Sequence, residues 1–448
     1  MHNRTEQFLN DPVFPLLIRM SAPNTIAFFI QAIVVLAEVW FISKLGTTSL
    51  AAVALAFPVI MLTQQMAFGA LGGAVTSSIA RSLGAEDKER AEKLLWHSLL
   101  LSCCGYLLFF LIFFIGGENL LMALGGEGLL LEESLLYIKI FLTGAIFIWL
   151  SGTLSAALRG IGNMRFPALL MIAGSGIQVI LAGGLILGWF GLPKLGIIGA
   201  PLSAISVAAL MAIVMILKFM HSSSNVQLKL SNLSFKKELF RDIFNVALPA
   251  SLAPIFTVGT ILILTGLVGQ FGVSALAGYG IGSRIEFLMI PLVFGIGTAM
   301  TTMVGTNIGA KKVERAERIG WLGGSFAGLF SGMIGLILII SSSYWINFFA
   351  TDQATYEVTK QYIEIVGLCF TFQGLGLSLY FASQGANAMK WPIIATVIRF
   401  VVAALGGWIA VNWFSSGIAG VFYAAASAMT IYGVMLVLSL KLGAWRSN

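Results

Sequence analysis

The chain is built from about twelve separate apolar runs, each long enough for the roughly 20 helical residues that cross a bilayer. Few folds accept such runs. Hydrocarbon offers no partner to a free N–H or C=O, so a crossing segment must bond internally, and runs of this length are too long for barrel strands. The expected fold is therefore an all-α membrane protein. Composition agrees: 58% of residues are hydrophobic, 10% are charged and mean hydropathy is +0.94. A soluble protein of 448 residues would have too little polar surface to cover its core. Soluble enzymes, nucleic-acid binders and disordered chains are excluded as classes. The runs begin near Phe14, Ser49, Lys93, Leu135, Phe166, Gly196, Phe244, Ala275, Trp321, Gln361, Trp391 and Gly417. The first is too long for a signal-peptide core and lacks a small-residue cleavage pattern, so it reads as a retained span.

Orientation follows from the basic residues. Of the 26 lysines and arginines, 20 fall in one alternating set of termini and loops. The opposite set holds or borders only Lys44, Lys139, Lys194 and Lys360, and Arg284 and Arg399 lie inside runs. The loop from Gly116 to Ser134 carries four glutamates and no lysine or arginine. Both termini are expected in the cytoplasm of a cell (inner) membrane protein, and the net charge of +7 is mostly this bias rather than a nucleic-acid surface. The cysteines, Cys103, Cys104 and Cys369, imply no disulfide framework.

The two halves repeat. KLGTTSLAAVAL around Gly46 returns as QFGVSALAGYGI around Gly272, and Pro23 returns as Pro249, both 226 residues on. LGAEDKERAEK, with Gly84 and Arg90, returns 225 residues on as IGAKKVERAER, with Gly309 and Arg315. RGIGNMRFP, ending at Pro167, returns as QGANAMKWP, ending at Pro392. Both GA-x-x-x-x-RA loops are basic, so the two six-span repeats are parallel, with lobes at 1–220 and 243–448 joined by a cytoplasmic linker, 221–242. Alternating-access transporters use this architecture, with the substrate in a central cleft between repeats.

Enzyme motifs are missing. No Gly-Lys dipeptide, G-x-S-x-G or H-E-x-x-H occurs. The three histidines have no metal-ligand spacing. No metal site or cofactor is expected, and energy must come from an ion gradient or another chain. Carboxylates inside spans are the informative residues, because a charge there costs a few kcal/mol by insertion scales. Glu38 stands out. Gln31 and Asn24 precede it at intervals of seven, which places three polar groups along one helix face. Burial disfavours a charged carboxylate, so Glu38 could bind a proton from outside and release it inside, or attract a cation when ionised. The competing reading is a carboxylate that snorkels to the interface. Glu286 has Arg284 two residues away, on a different face; packing or anchoring is the simpler role. Glu364, four residues after Lys360, reads as a solvated rim. Gln64, Ser175 and Gln178 either line a cavity or join helices. Met61, Met66, Phe68, Met300 and Met303 are candidates for an apolar substrate cleft, although packing or lipid contact would explain each. The repeat-related position of Glu38 is Leu264, so ion coupling is expected in the first half.

With these motifs together, the chain resembles the multidrug and toxic compound extrusion (MATE) family over nearly its whole length. The carriers are EVWFISKLGTTSLAAVAL, the two GA-x-x-x-x-RA loops, RGIGNMRFP and GLPKLGIIGAP. The resemblance implies two six-helix lobes and export of small organic cations or amphipaths against inward proton or sodium flow, with no cofactor and no obligate protein partner, as a monomer. The family often has Asp eight residues before the Gly of the L-G turn; Glu38 stands there. Its span-5 Asn and Asp positions are Gln178 and Ala182, and a span-6 Thr position is Ala204. Some members use acids in spans 7 and 10; span 7 has none here, and span 10 offers Gln373. One remaining carboxylate favours a proton over sodium. The alternatives are sodium-coupled efflux and a flippase for lipids or lipid-linked substrates. A flippase for large anions would call for a cavity lined by Arg and Lys, and a membrane enzyme for clustered catalytic groups.

Overall fold

The computed structural model describes residues 4–221, 226–286, 289–350 and 352–446. Within the linker, residues 222–225 lie outside the described residues. Among the described residues every regular element is helical, and twelve helical stretches are long and apolar enough to cross a membrane. They are Val13–Ser43, Thr47–Gly84, Lys88–Ala123, Gly128–Gly160, Arg165–Leu187, Gly196–Met220, Lys237–Gly269, Val273–Gly309, Val313–Ile340, Gln353–Gly385, Lys390–Asn412 and Gly417–Lys441, here called spans 1 to 12. The described helices of span 8 are Val273–Glu286 and Ile290–Gly309. Several helices begin before their apolar runs: span 7 at Lys237 rather than Phe244, and span 9 at Val313 rather than Trp321. The added turns, KELFRD and VERAER, consist largely of good helix formers, and Leu239 and Ala316 within them are buried.

The sequence repeat extends to backbone geometry. Gly46 and Gly272, which end the turns after spans 1 and 7, have φ of 127° and 101°. L side chains rarely adopt that region, which explains why glycine recurs there. After spans 2 and 8, Glu86 and Lys311 adopt φ of 62° and 60°. The next amides close six-residue C-caps: Asp87 N donates to Ser82 O at 2.9 Å and Lys312 N to Asn307 O at 2.8 Å. These bonds satisfy carbonyls that a helix end would otherwise leave free.

Contacts between spans recur at the same offset. Thr76 Oγ1 donates to the Ala156 carbonyl at 2.9 Å, joining spans 2 and 4. Thr301 Oγ1 donates to the Phe381 carbonyl at 2.9 Å, joining spans 8 and 10. Ser134 Oγ to Ala52 O, 3.2 Å, is matched by Thr359 Oγ1 to Gly278 O, 3.1 Å. Helices bound through backbone carbonyls must lie close, and small residues permit it. A Cβ at Gly160 would sit 3.0 Å from Thr76 O, and one at Gly385 would sit 2.5 Å from Thr301 O.

The chain divides into two compact units, Ile26–Ala247 and Met1–Thr25 with Leu248–Asn448. Both chain boundaries fall inside helices, in spans 1 and 7, within two residues of the repeated Pro23 and Pro249. In the first unit the start of span 7 and the segment before it are fastened to the end of span 2 and the start of span 3. Asp242 takes Arg81 at 2.5 Å and Arg90 at 2.9 Å. Glu92 accepts from Asn232 Nδ2 at 2.6 Å, and His97 Nε2 accepts from Lys236 N at 3.0 Å. In the second unit the segment preceding span 1 is fastened to the end of span 8 and the start of span 9. Arg315 donates to the carbonyls of Phe8, 3.2 Å from Nε, and Asp11, and Asn307 Nδ2 donates to Phe8 O at 3.1 Å.

Alanine at Gly385 must push two backbones apart, whereas alanine at Gly160 needs a smaller shift. Gly385→Ala should cost about 1–3 kcal/mol, the usual range for overpacking, and Gly160→Ala less. Equilibrium unfolding of the two purified variants in one detergent checks the order.

Candidate functional site

Glu38 lies in the last third of span 1, half-buried in the Ile26–Ala247 unit. Gln178 Nε2, from span 5, donates to its Oε1 at 2.8 Å. One turn earlier in span 5, Ser175 Oγ donates to Gln31 Oε1 at 3.2 Å. Residue numbers rise together along both helices, so spans 1 and 5 run in the same direction. Gln31 and Glu38 are separated by a rise of roughly 10 Å and Ser175 and Gln178 by roughly 4.5 Å; the glutamine side chains take up the difference. Ser203 of span 6 lies beside Glu38, with its Oγ donating to the Ala200 carbonyl at 2.8 Å, and Tyr137 of span 4 lies within electrostatic range. The carboxyl group therefore has one neutral donor, from span 5, and a hydroxyl of span 6 beside it. Ala182, one turn after Gln178, is fully buried and adds no oxygen.

The polar stripe on span 1 is shared between the two units. Gln31 and Glu38 belong to the first. Asn24 belongs to the second, buried, with Nδ2 donating to Thr298 Oγ1 at 3.2 Å. The unit boundary after Thr25 lies between them, a division that the seven-residue periodicity does not reveal. Gln64 is exposed on span 2. From Gln65 to Leu71 span 2 widens into π-helix, and this segment carries Met66, buried, and Phe68, half-buried, as Met61 is one turn before. Phe68 lies where a Cβ on Gly152 of span 4 would meet its ring at 3.3 Å. Met300 and Met303 are fully buried in span 8 of the second unit, Met300 in the space left by Gly323 of span 9. Gln373, also in that unit, is 7% exposed, and its Oε1 has no hydrogen-bond partner among the described residues.

Span 8 holds a second acid. Glu286 Oε2 accepts from the Tyr362 hydroxyl at 2.8 Å. Arg399, 5.3 Å from the Tyr432 ring centroid, acts electrostatically on Glu286. Arg284 is exposed, as expected from its different helix face. Glu364 is exposed, and no salt bridge to Lys360 forms among the described residues. Ser203, Tyr137 and Tyr362 were not candidates from sequence, because a lone hydroxyl in an apolar run carries no signal without its neighbour.

The MatE family model matches residues 23–182 and 249–409, one stretch in each repeat. The chain belongs to the multidrug and toxic compound extrusion (MATE) family. It is an efflux transporter and not an enzyme. This MATE protein is 24% identical over 437 residues to the probable multidrug resistance protein NorM of Thermotoga maritima, covering 96% of this chain and 93% of that one. It is 26% identical over 419 residues to a FAD transporter of Shewanella oneidensis, covering 90% of each. A MATE protein crystallised in the straight conformation matches with a TM-score of 0.91 at 24% identity, over 100% of both chains.

If Glu38 and Gln178 act as a pair, their substitutions are not additive. Gln178→Leu should cost about 1–3 kcal/mol by leaving the carboxyl short of a donor. In the Glu38→Gln background it should cost less. A double-mutant cycle by denaturant unfolding measures the coupling.

Proposed function

We propose that the protein exports organic cations or amphipathic compounds in exchange for inward protons, and that Glu38 carries the proton. One observation carries this reading: the carboxyl of Glu38 accepts from the neutral amide of Gln178 at 2.8 Å and forms no salt bridge among the described residues, and Ala182, at the position where the family often has a second acid, carries no carboxylate. A proton needs one titrating group, whereas a hard cation is best held by several oxygens. A neutral donor orients the carboxyl without a fixed countercharge, so protonation and cation binding compete at one place. Gln31 and Ser175 extend the polar face, and Asn24 and Gln64 are proposed as supporting polar groups. Met61, Met66 and Phe68 in the first unit, and Met300, Met303 and Gln373 in the second, are proposed as cargo-contacting positions.

In this reading both termini and the linker, 221–242, face the cytoplasm of the cell membrane, the lobes are residues 1–220 and 243–448, and the protein works as a monomer. Cysteine introduced at Glu127 should react with an impermeant maleimide from outside intact cells, and cysteine at Glu86 should not.

Transport in proteoliposomes tests the coupling. With acid outside, wild-type protein should export a dye panel, and Glu38→Gln should abolish pH-driven export at unchanged thermal stability. Undiminished export by the variant would refute the role of Glu38. A sodium gradient imposed without a pH gradient should drive nothing; export under that condition would assign sodium instead. Tetraphenylphosphonium should be carried, and FAD, the cargo named for the Shewanella relative, serves as the anionic arm. Transport of FAD alone would support the flippase-like alternative.

A further inference from the structure

The second unit contains a cavity of about 480 Å³ where span 1 meets the start of span 9, lined by Asp11, Phe14, Arg315, Arg318 and Leu322 among others. It lies at the edge of the apolar layer. Arg315 and Arg318 occupy the turns of span 9 before its apolar run, and Leu322 is inside that run. The guanidinium of Arg315 is positioned by donating to the Phe8 and Asp11 carbonyls, and the Asp11 carboxylate acts on it electrostatically without a salt bridge between them. Arg318 is exposed. Neither arginine forms a salt bridge among the described residues, and the Asp11 carboxylate faces Arg19 at 3.7 Å.

The internal repeat shows how unusual this is. The counterparts 225 residues earlier are Arg90, Lys93 and His97. Arg90 is bound to Asp242, Lys93 to Glu89, and His97 is covered by Lys236 and Phe240. In the first unit the protein supplies its own carboxylates to this cluster. In the second unit the same backbone presents two cations to an open cavity.

The apolar surface continues from it. Arg318, Leu322, Phe326 and Phe330 follow one another at i+4 along one face of span 9. Phe14 packs edge-on to Phe326, with centroids 5.4 Å apart, and Phe326 to Phe330 at 6.0 Å. Phe14 and Phe330 are each 41% exposed. Cations above and an exposed aromatic ladder below match a molecule with a negative head and a hydrocarbon tail. The geometry points to a binding site for an anionic phospholipid, with the headgroup phosphate at Arg315 and Arg318 and an acyl chain along Phe14, Phe326 and Phe330. The lipid belongs to the leaflet that meets the basic loops. Basic pockets between spans bind anionic headgroups in this way.

Native mass spectrometry and thermal unfolding of the full-length protein in detergent test the site, with phosphatidylglycerol, phosphatidylcholine and inorganic phosphate as separate probes. Wild-type protein should retain phosphatidylglycerol preferentially and unfold at a higher temperature with it. Arg318→Ala should weaken retention about fivefold, the worth of one cation near an anionic surface. Arg318→Lys should restore much of it. Lys93→Ala, the repeat-related change, should leave retention unchanged. Equal retention by Arg318→Ala would overturn the site. So would an equal loss in Lys93→Ala, which would indicate a diffuse lipid belt. A stabilisation by inorganic phosphate matching that by phosphatidylglycerol would also overturn it, because the ligand would then be a free anion. Arg318 is exposed and unbridged, so its loss leaves folding intact and keeps the result interpretable.

Discussion

Absence of water in the bilayer core governs this structure. A polar group that enters the core must find its partner within the protein. The backbone does so by closing into helices. The few polar side chains do so in pairs across helices: Glu38 with Gln178, Gln31 with Ser175, Asn24 with Thr298, Glu286 with Tyr362. Threonine and serine hydroxyls go further and bond the backbone of a neighbouring span. Because such bonds need close approach, the glycines at the crossings are as much part of the polar network as the hydroxyls.

The two repeats use one scaffold for different chemistry. Their turns, caps and crossing bonds coincide at a fixed offset, yet the position equivalent to Glu38 is Leu264, buried in the core of the second unit. Duplication preserved what holds helices together and left ionisable groups free to diverge. Each unit keeps one acid with a neutral donor from a neighbouring span, but at positions that do not correspond: Glu38 with Gln178 in the first and Glu286 with Tyr362 in the second.

Much of this was legible in the chain. Run length located twelve spans, and the register between halves, read from Gly46 and Gly272 or Arg90 and Arg315, anticipated turns that prove to share their φ values. Glu38 was legible because an acid in an apolar helix needs a reason. Its partners were less so. Gln178 was a candidate only as one polar residue among several, and Ser203 and Tyr137 were invisible, because pairing across spans depends on helix rotation, which periodicity along one helix does not fix. The division of span 1 after Thr25 was hidden for the same reason: Asn24 and Gln31 share a face, and only three-dimensional neighbours assign them to different units.

That division has a bearing on how the molecule is made. Residues 4–25 are translated before the groups that fasten them, Asn307 and Arg315, which follow almost three hundred residues later. The opening segment must wait, unsatisfied, while the whole of the first unit is inserted. Conversely, that unit completes only when Asp242 has been synthesised, just as the next helix begins. Each half thus withholds a piece the other requires, and a chain cut between the repeats would yield two incomplete bodies, each missing its clasp.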